Sequence, residues 1–156
     1  MMNRIAAYSC YRCGNEFPID MPIDSRGCPS CLEIAPSNLK VLYRAPTPAT
    51  STVKGIARLP SLWRYAERLP FDESSAVSLG EGLTPLLRSE RIGAVIGVPN
   101  LFIKNEGYNP TWSHKDRFST VAVTAAVEAG ASVVATSSSG NAGASLAAYA
   151  ARAGLE

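Results

Sequence analysis

Three groups of residues combine reactive types with meaningful spacing. Cys10-x2-Cys13 and Cys28-x2-Cys31 are two knuckles with fourteen residues between them. A thiolate pair at that spacing grips one tetrahedral ion from a tight turn, and two pairs close a Cys₄ site. Gly14 after the first pair and Gly27 before the second suit turns that aim backbone amides at the sulfurs. The spacer is one residue short of the usual roughly 15 to 20. Two disulfides or four free thiols are the alternatives. A reducing compartment disfavours the first and clustering disfavours the second. A closed Cys₄ site keeps no open position, so the expected zinc ion is structural. In so small a module, metal binding of roughly 10–16 kcal/mol replaces the missing core.

The second group is Lys104-Asn105-Glu106-Gly107-Tyr108-Asn109-Pro110-Thr111-Trp112-Ser113-His114-Lys115-Asp116-Arg117. Here a strand gives way to a turn, and Lys115 sits at the mouth of an apolar helix. The positive end of the helix dipole and partial desolvation both favour a neutral amine. A neutral amine can attack an aldehyde. Alone, a lysine at a helix start is usually only a solvated residue. The third group is Val133-Val134-Ala135-Thr136-Ser137-Ser138-Ser139-Gly140-Asn141-Ala142. Amides and hydroxyls at a helix amino terminus suit a carboxylate or phosphate. Its plain alternative is a serine N-cap on a crossover helix.

The elements that position these groups follow from periodicity. Residues 1–44 form a small cysteine module ending in the strand-like Asn38–Arg44, and 45–60 is a linker rich in Pro, Thr and Ser. Leu62 to Leu69 suggests a short helix stopped by Pro70. Residues 84–88 and 101–104 read as strands. Phe118, Val121, Ala122, Ala125 and Ala129 mark the apolar face of a helix over Lys115–Ala129, which Gly130 ends. Ser132–Thr136 reads as a short buried strand, and Asn141–Ala153 as an alanine-rich helix. That rhythm predicts an α/β fold with a parallel sheet and crossover helices.

Composition narrows the classes. With 46% hydrophobic and 18% charged residues, a packed core is within reach and disorder is not expected. A net charge of +2 gives no reason to expect nucleic acid or a membrane surface as partner. No apolar run reaches the roughly 18 residues that span a bilayer, and the start is too short in apolar residues for a signal peptide. A cytoplasmic setting is the expectation.

Taken together, Asn109-Pro110-Thr111-x-Ser113-x-Lys115-Asp116-Arg117 and Ser138-Ser139-Gly140-Asn141-Ala142 resemble the fold-type II pyridoxal-phosphate enzymes, the tryptophan synthase β family. Leu79-Gly80-Glu81-Gly82-Leu83-Thr84-Pro85-Leu86, Leu62-Trp63-Arg64-Tyr65 and the zinc ribbon are similar to the threonine-synthase branch, so the match touches nearly the whole chain. The resemblance implies a Cys₄ zinc ribbon (1–44) followed by the first part of a parallel-sheet catalytic domain (61–156). It implies pyridoxal 5'-phosphate carried on Lys115, which also acts as general base. It implies Asn141 on the cofactor's 3′-hydroxyl, and Ser138, Ser139 and Asn141 at the substrate carboxylate. Cys10, Cys13, Cys28 and Cys31 are the implied zinc ligands, while Asp116 and Arg117 fix the lysine segment.

The implied activity is a lyase acting on an amino-acid substrate, converting O-phosphohomoserine and water to threonine and phosphate, with a homodimer for the complete polypeptide. Cysteate synthase and a threonine or diaminopropionate ammonia-lyase are the alternatives within the class. A non-catalytic zinc-ribbon protein is the alternative outside it. Three positions depart from the pattern: Trp112 and Phe118 stand where glycine is usual, and His114 stands where an aromatic is usual. His114 reads as an aromatic packing replacement. The family's glycine-rich phosphate loop and the residue facing the pyridine nitrogen have no counterpart in these 156 residues. The expectation is either a fragment of a longer polypeptide or an inactive truncated relative.

Overall fold

The computed structural model describes residues 4–21, 26–44 and 60–156. The chain divides into two compact units, Met1–Val53 and Lys54–Glu156. The linker expected over 45–60 lies outside the described residues, apart from Pro60.

The first unit is a three-stranded antiparallel sheet in the order β2-β1-β3, formed by β1 (Ile5–Cys10), β2 (Glu16–Phe17) and β3 (Leu39–Tyr43). Tyr8 pairs with Val41 and Cys10 with Leu39. Cys10, Cys28 and Cys31 are buried together, with Phe17 and Leu39 packed against them. Gly27 is required where it stands. Its φ is +84°, and an added Cβ would lie 2.2 Å from the Ser37 carbonyl oxygen. That close approach lets the Cys28 amide donate to the same carbonyl at 2.8 Å.

The first named element among the described residues of the second unit is a 3₁₀ segment, Leu62–Arg68, in which Trp63 is fully buried. A hairpin-like pair follows: β4 (Leu86–Arg88), the short helix α1 (Glu90–Val95), then β5 (Phe102–Lys104) antiparallel to β4. Helix α2 covers Lys115–Glu128 and α3 covers Asn141–Ala153, within one residue of expectation. Gly130 ends α2 at φ +73°, the left-handed cap that glycine adopts without cost. The sequence gives no clear sign of α1, because a six-residue helix shows too few turns for a period.

Two expectations need correction. Val121, Ala122 and Ala125 are only half-buried, and Phe118 is 66% exposed. The buried face of α2 is Asp116, Ser119, Thr120, Val123 and Thr124. Polar side chains face inward because neighbours within the unit offer them hydrogen bonds. Trp63 Nε1 donates to Thr120 Oγ1 at 2.7 Å, Thr120 Oγ1 donates to the Val77 carbonyl at 2.7 Å, and the Val77 amide donates to Thr124 Oγ1 at 3.0 Å.

The other difference is confined to Ser132–Thr136, expected as a short buried strand. This segment forms no named strand and is not buried, with Val133 57% exposed. A buried parallel strand needs neighbours on both sides and helices on both faces. Here one rung exists: Glu156 N–H donates to the Ser132 carbonyl at 3.0 Å, and Val134 N–H donates to the Glu156 carbonyl at 2.7 Å. That is the slanted pattern of a parallel ladder, reached after α3 has crossed over. The named strands in this unit, β4 and β5, are antiparallel.

Candidate functional site

In the first unit, the hairpin after β1 and the turn at Cys28 bring the four cysteines together, and their sulfurs all lie within 4.8 Å of one another. Cys10 and Cys31 Sγ are 3.8 Å apart, as are Cys13 and Cys28 Sγ. Tetrahedral metal–sulfur bonds of ~2.3 Å place sulfurs ~3.8 Å apart. The set therefore fits one metal ion, and all four thiols are free of disulfides. The knuckle amides point as the spacing predicts, with Arg12 and Cys13 N–H donating to Cys10 Sγ at 3.3 and 3.5 Å. Ser37, followed by those two amides, lowers the Cys10 thiol to about 5. Burial raises the Cys31 thiol to about 12 and pushes Cys28 up as well. Thiols crowded out of water ionise together only when a cation offsets their charge.

In the second unit, Lys115 opens α2, and its neighbours on the chain are pinned. Arg117 donates to Glu106 through Nε at 2.7 Å and through a terminal nitrogen at 2.9 Å. Thr84 Oγ1 and Asn109 Nδ2 also donate to Glu106, at 2.8 and 3.0 Å. The Arg117 guanidinium, aided by these two groups, holds the Glu106 carboxyl at about 2, and Glu106 in turn raises Arg117. On the other side, Asp116 is fully buried and Thr111 N–H donates to its Oδ2 at 2.7 Å. Asn109, also buried, accepts from Gly82 N–H at 2.9 Å.

Between these anchors Lys115 is half-buried, and its amine has no hydrogen-bond or ion-pair partner among the described residues. Lys104 differs, because its ammonium donates to the Thr84 carbonyl. Asn141 opens α3 with its side chain exposed and unpartnered among the described residues. Ser138 Oγ accepts from Gly140 and Gly143 N–H at 3.3 and 3.1 Å, so this hydroxyl closes its own loop onto the head of α3. Ser139 is exposed on the same loop. His114 is exposed and makes no capping bond, so it does not fill an aromatic packing position among the described residues.

The amino-terminal turns of the two helices meet: Ser145 in the second turn of α3 contacts both Asp116 and Ser119 in the first two turns of α2. Tyr149, one turn further along α3, donates to buried Glu81 at 2.7 Å, and Ser78 Oγ and Leu79 N–H complete that carboxylate's shell. Burial, with Glu81 beside it, pushes the Tyr149 phenol up. Sequence reasoning did not single out Glu81, Glu106, Ser145 or Tyr149. A faint signal existed for two of them: an acid between glycines, and a lone aromatic in an alanine-rich helix.

The family model described as "Pyridoxal-phosphate dependent enzyme" matches residues 77–156. A threonine synthase of Methanocaldococcus jannaschii is 44% identical over 146 residues, covering 93% of this chain and 35% of that protein. One of Methanosarcina acetivorans is 40% identical over 146 residues, 94% and 34%. A threonine synthase of Mycobacterium leprae is 48% identical over 92 residues, 58% and 25%. The chain spans about a third of the length of the first two relatives. Among the described residues, no helix is long and apolar enough to cross a membrane.

Proposed function

Because the chain belongs to the pyridoxal-phosphate-dependent enzymes, we propose that it is the front part of a threonine synthase, a lyase converting O-phosphohomoserine and water to threonine and phosphate. The observation that carries this reading is identity of 44% across 93% of the chain, which spans both the cysteine module and the lysine and asparagine motifs. On this reading the substrate is an amino acid and the site residues are those that the resemblance implies.

The residues present fit the cofactor. Lys115 offers a half-buried, unpartnered amine at a helix head, whereas the Lys104 ammonium is committed to Thr84. Pyridoxal phosphate, when bound, supplies the electron sink for substrate carbanions. Lys115 holds it through Nζ and moves the proton at the substrate carbon. Asn141 hydrogen-bonds the 3′-hydroxyl. Ser139 and the amides at the head of α3 receive the substrate carboxylate, with Ser138 Oγ shaping that loop through Gly140 and Gly143. Asp116 and Arg117 keep the Lys115 segment in place through Thr111 and Glu106. In the first unit the four sulfurs hold a structural zinc ion, and the unit is a zinc ribbon.

The experiment is borohydride reduction of the complete holoenzyme, followed by peptide mapping and a phosphate-release assay with O-phosphohomoserine. The expected label falls on Lys115, and Lys115→Ala abolishes phosphate release. A label on Lys104, or no phosphate release by the parent, overturns the reading.

A further inference from the structure

Lys115 and Asn141 head different helices, and a ligand shared between them needs those heads at a fixed spacing. One contact sits one residue from Lys115 and four from Asn141. Asp116 is 0% exposed and accepts the Ser145 hydroxyl at Oδ1, 2.6 Å away. Thr111 adds its backbone N–H at Oδ2, 2.7 Å away, and its hydroxyl at Oδ1. Ser145 is equally buried and lies 2.8 Å from Ser119 Oγ. One carboxylate therefore ties the loop before α2, the first turn of α2 and the second turn of α3. An ionised carboxylate only accepts, so a buried one that loses a donor is left short unless its neighbours shift.

We propose that Ser145 is a positioning residue of the cofactor site: through Asp116 it sets the spacing between the Lys115 amine and the Asn141 side chain. This rests on the function proposed above and adds a residue that touches neither cofactor nor substrate. Tyr149 provides a matched comparison. It lies one turn further along α3, is equally buried, and also gives its hydroxyl to a buried carboxylate. That carboxylate, Glu81, adjoins neither Lys115 nor Asn141 in the chain.

The test compares Ser145→Ala, Ser145→Thr and Tyr149→Phe in the complete polypeptide. Ser145→Ala and Tyr149→Phe both lower the melting temperature. Only Ser145→Ala weakens pyridoxal phosphate binding, by about tenfold or more, as misplacement of paired contacts does. It alone also shifts the pH titration of the bound cofactor's visible absorbance. Ser145→Thr keeps the hydroxyl and restores both. Hydrogen exchange of the Thr111 amide in the cofactor-free protein reads the link directly, faster in Ser145→Ala and unchanged in Tyr149→Phe. Equal cofactor affinity in Ser145→Ala and Tyr149→Phe overturns the positioning role, as does a Thr111 amide that exchanges alike in both. A parent with no lysine-bound cofactor overturns the proposed function, and this inference with it, so the parent's own spectrum separates the two failures.

Discussion

The two units reach order by opposite means. In Met1–Val53 the centre is three buried cysteines with Phe17 and Leu39 against them, and four sulfurs meet at one point. In Lys54–Glu156 the centre is a web of hydrogen bonds. Glu81, Thr84, Asn109, Ser113, Asp116, Ser119, Thr120, Thr124 and Ser145 are buried there, while Leu86, Phe102 and Phe118 are at least half exposed. No buried side-chain nitrogen or oxygen among the described residues lacks a partner. A satisfied polar web holds groups at fixed angles, which apolar packing alone does not do. The first unit is thus organised around a single point, and the second around a distributed set of paired polar side chains.

The comparison breaks most sharply at the cysteines. Cys28→Ser removes one of the four clustered thiols, and a structural zinc ion held by such a cluster is worth roughly 10–16 kcal/mol of folding free energy. The expected result is loss of hydrogen-exchange protection throughout Ile5–Tyr43, with α2 and α3 keeping theirs. Elemental analysis of the parent protein should give one zinc per chain, and a chelator should reproduce the Cys28→Ser exchange pattern. Protection of β1 that survives chelation would show that the unit has a core of its own.

Legibility differs between the units for the same reason. The cysteine cluster is written locally: two short knuckles and a glycine before the second mark the four thiols and their turns. The placement of Lys115 and Asn141 is legible because each opens a helix whose length the sequence marks to within one residue. The support around them is not legible, because it pairs residues far apart in the chain. Tyr149 meets Glu81 across 68 positions, Trp63 meets Thr120 across 57, and Ser145 meets Asp116 across 29. Each is an ordinary polar or aromatic residue until its partner is known. The periodicity of α2 misled about burial for a related reason. Its apolar stripe through Phe118 is a true stripe, but within this unit the polar stripe has the partners.

An intermediate effect belongs to Glu106, where the polar web meets solvent. Its carboxyl is held at about 2 against an ordinary 4.5, first by Arg117 and then by Thr84 and Asn109. A folded-state value below the unfolded one stabilises above the unfolded value, and that contribution fades as pH falls from about 4.5 to about 2. The Glu106 side chain is 24% exposed, and solvent screening leaves this contribution at about 2 kcal/mol. Glu106→Gln should therefore melt below the parent at pH 6, with the gap closing as the pH approaches 2. A gap that persists at pH 2 would mean that shape, rather than charge, anchors Arg117.

The smallest effect tests the loop that joins the web to Lys115. Trp112 has φ +59°, in the left-handed region, and its side chain is 84% exposed. Its neighbours hold it there: its own N–H donates to the Asn109 carbonyl at 2.8 Å, and Asn109 and Ser113 are both buried. A bulky side chain in that conformation costs roughly 1–2 kcal/mol. Glycine, usual at this place in the family pattern, adopts it freely. Substituting glycine also adds unfolded-state entropy, a penalty of about 0.4–1 kcal/mol. Because so exposed an indole contributes little burial, Trp112→Gly should be neutral or stabilise the second unit by under about 1 kcal/mol, read as the denaturation midpoint at unchanged slope. A loss of more than about 1 kcal/mol would show that the indole packs against the protein. The loop would then be held by apolar contact as well as by hydrogen bonds, and the contrast between the two units would narrow.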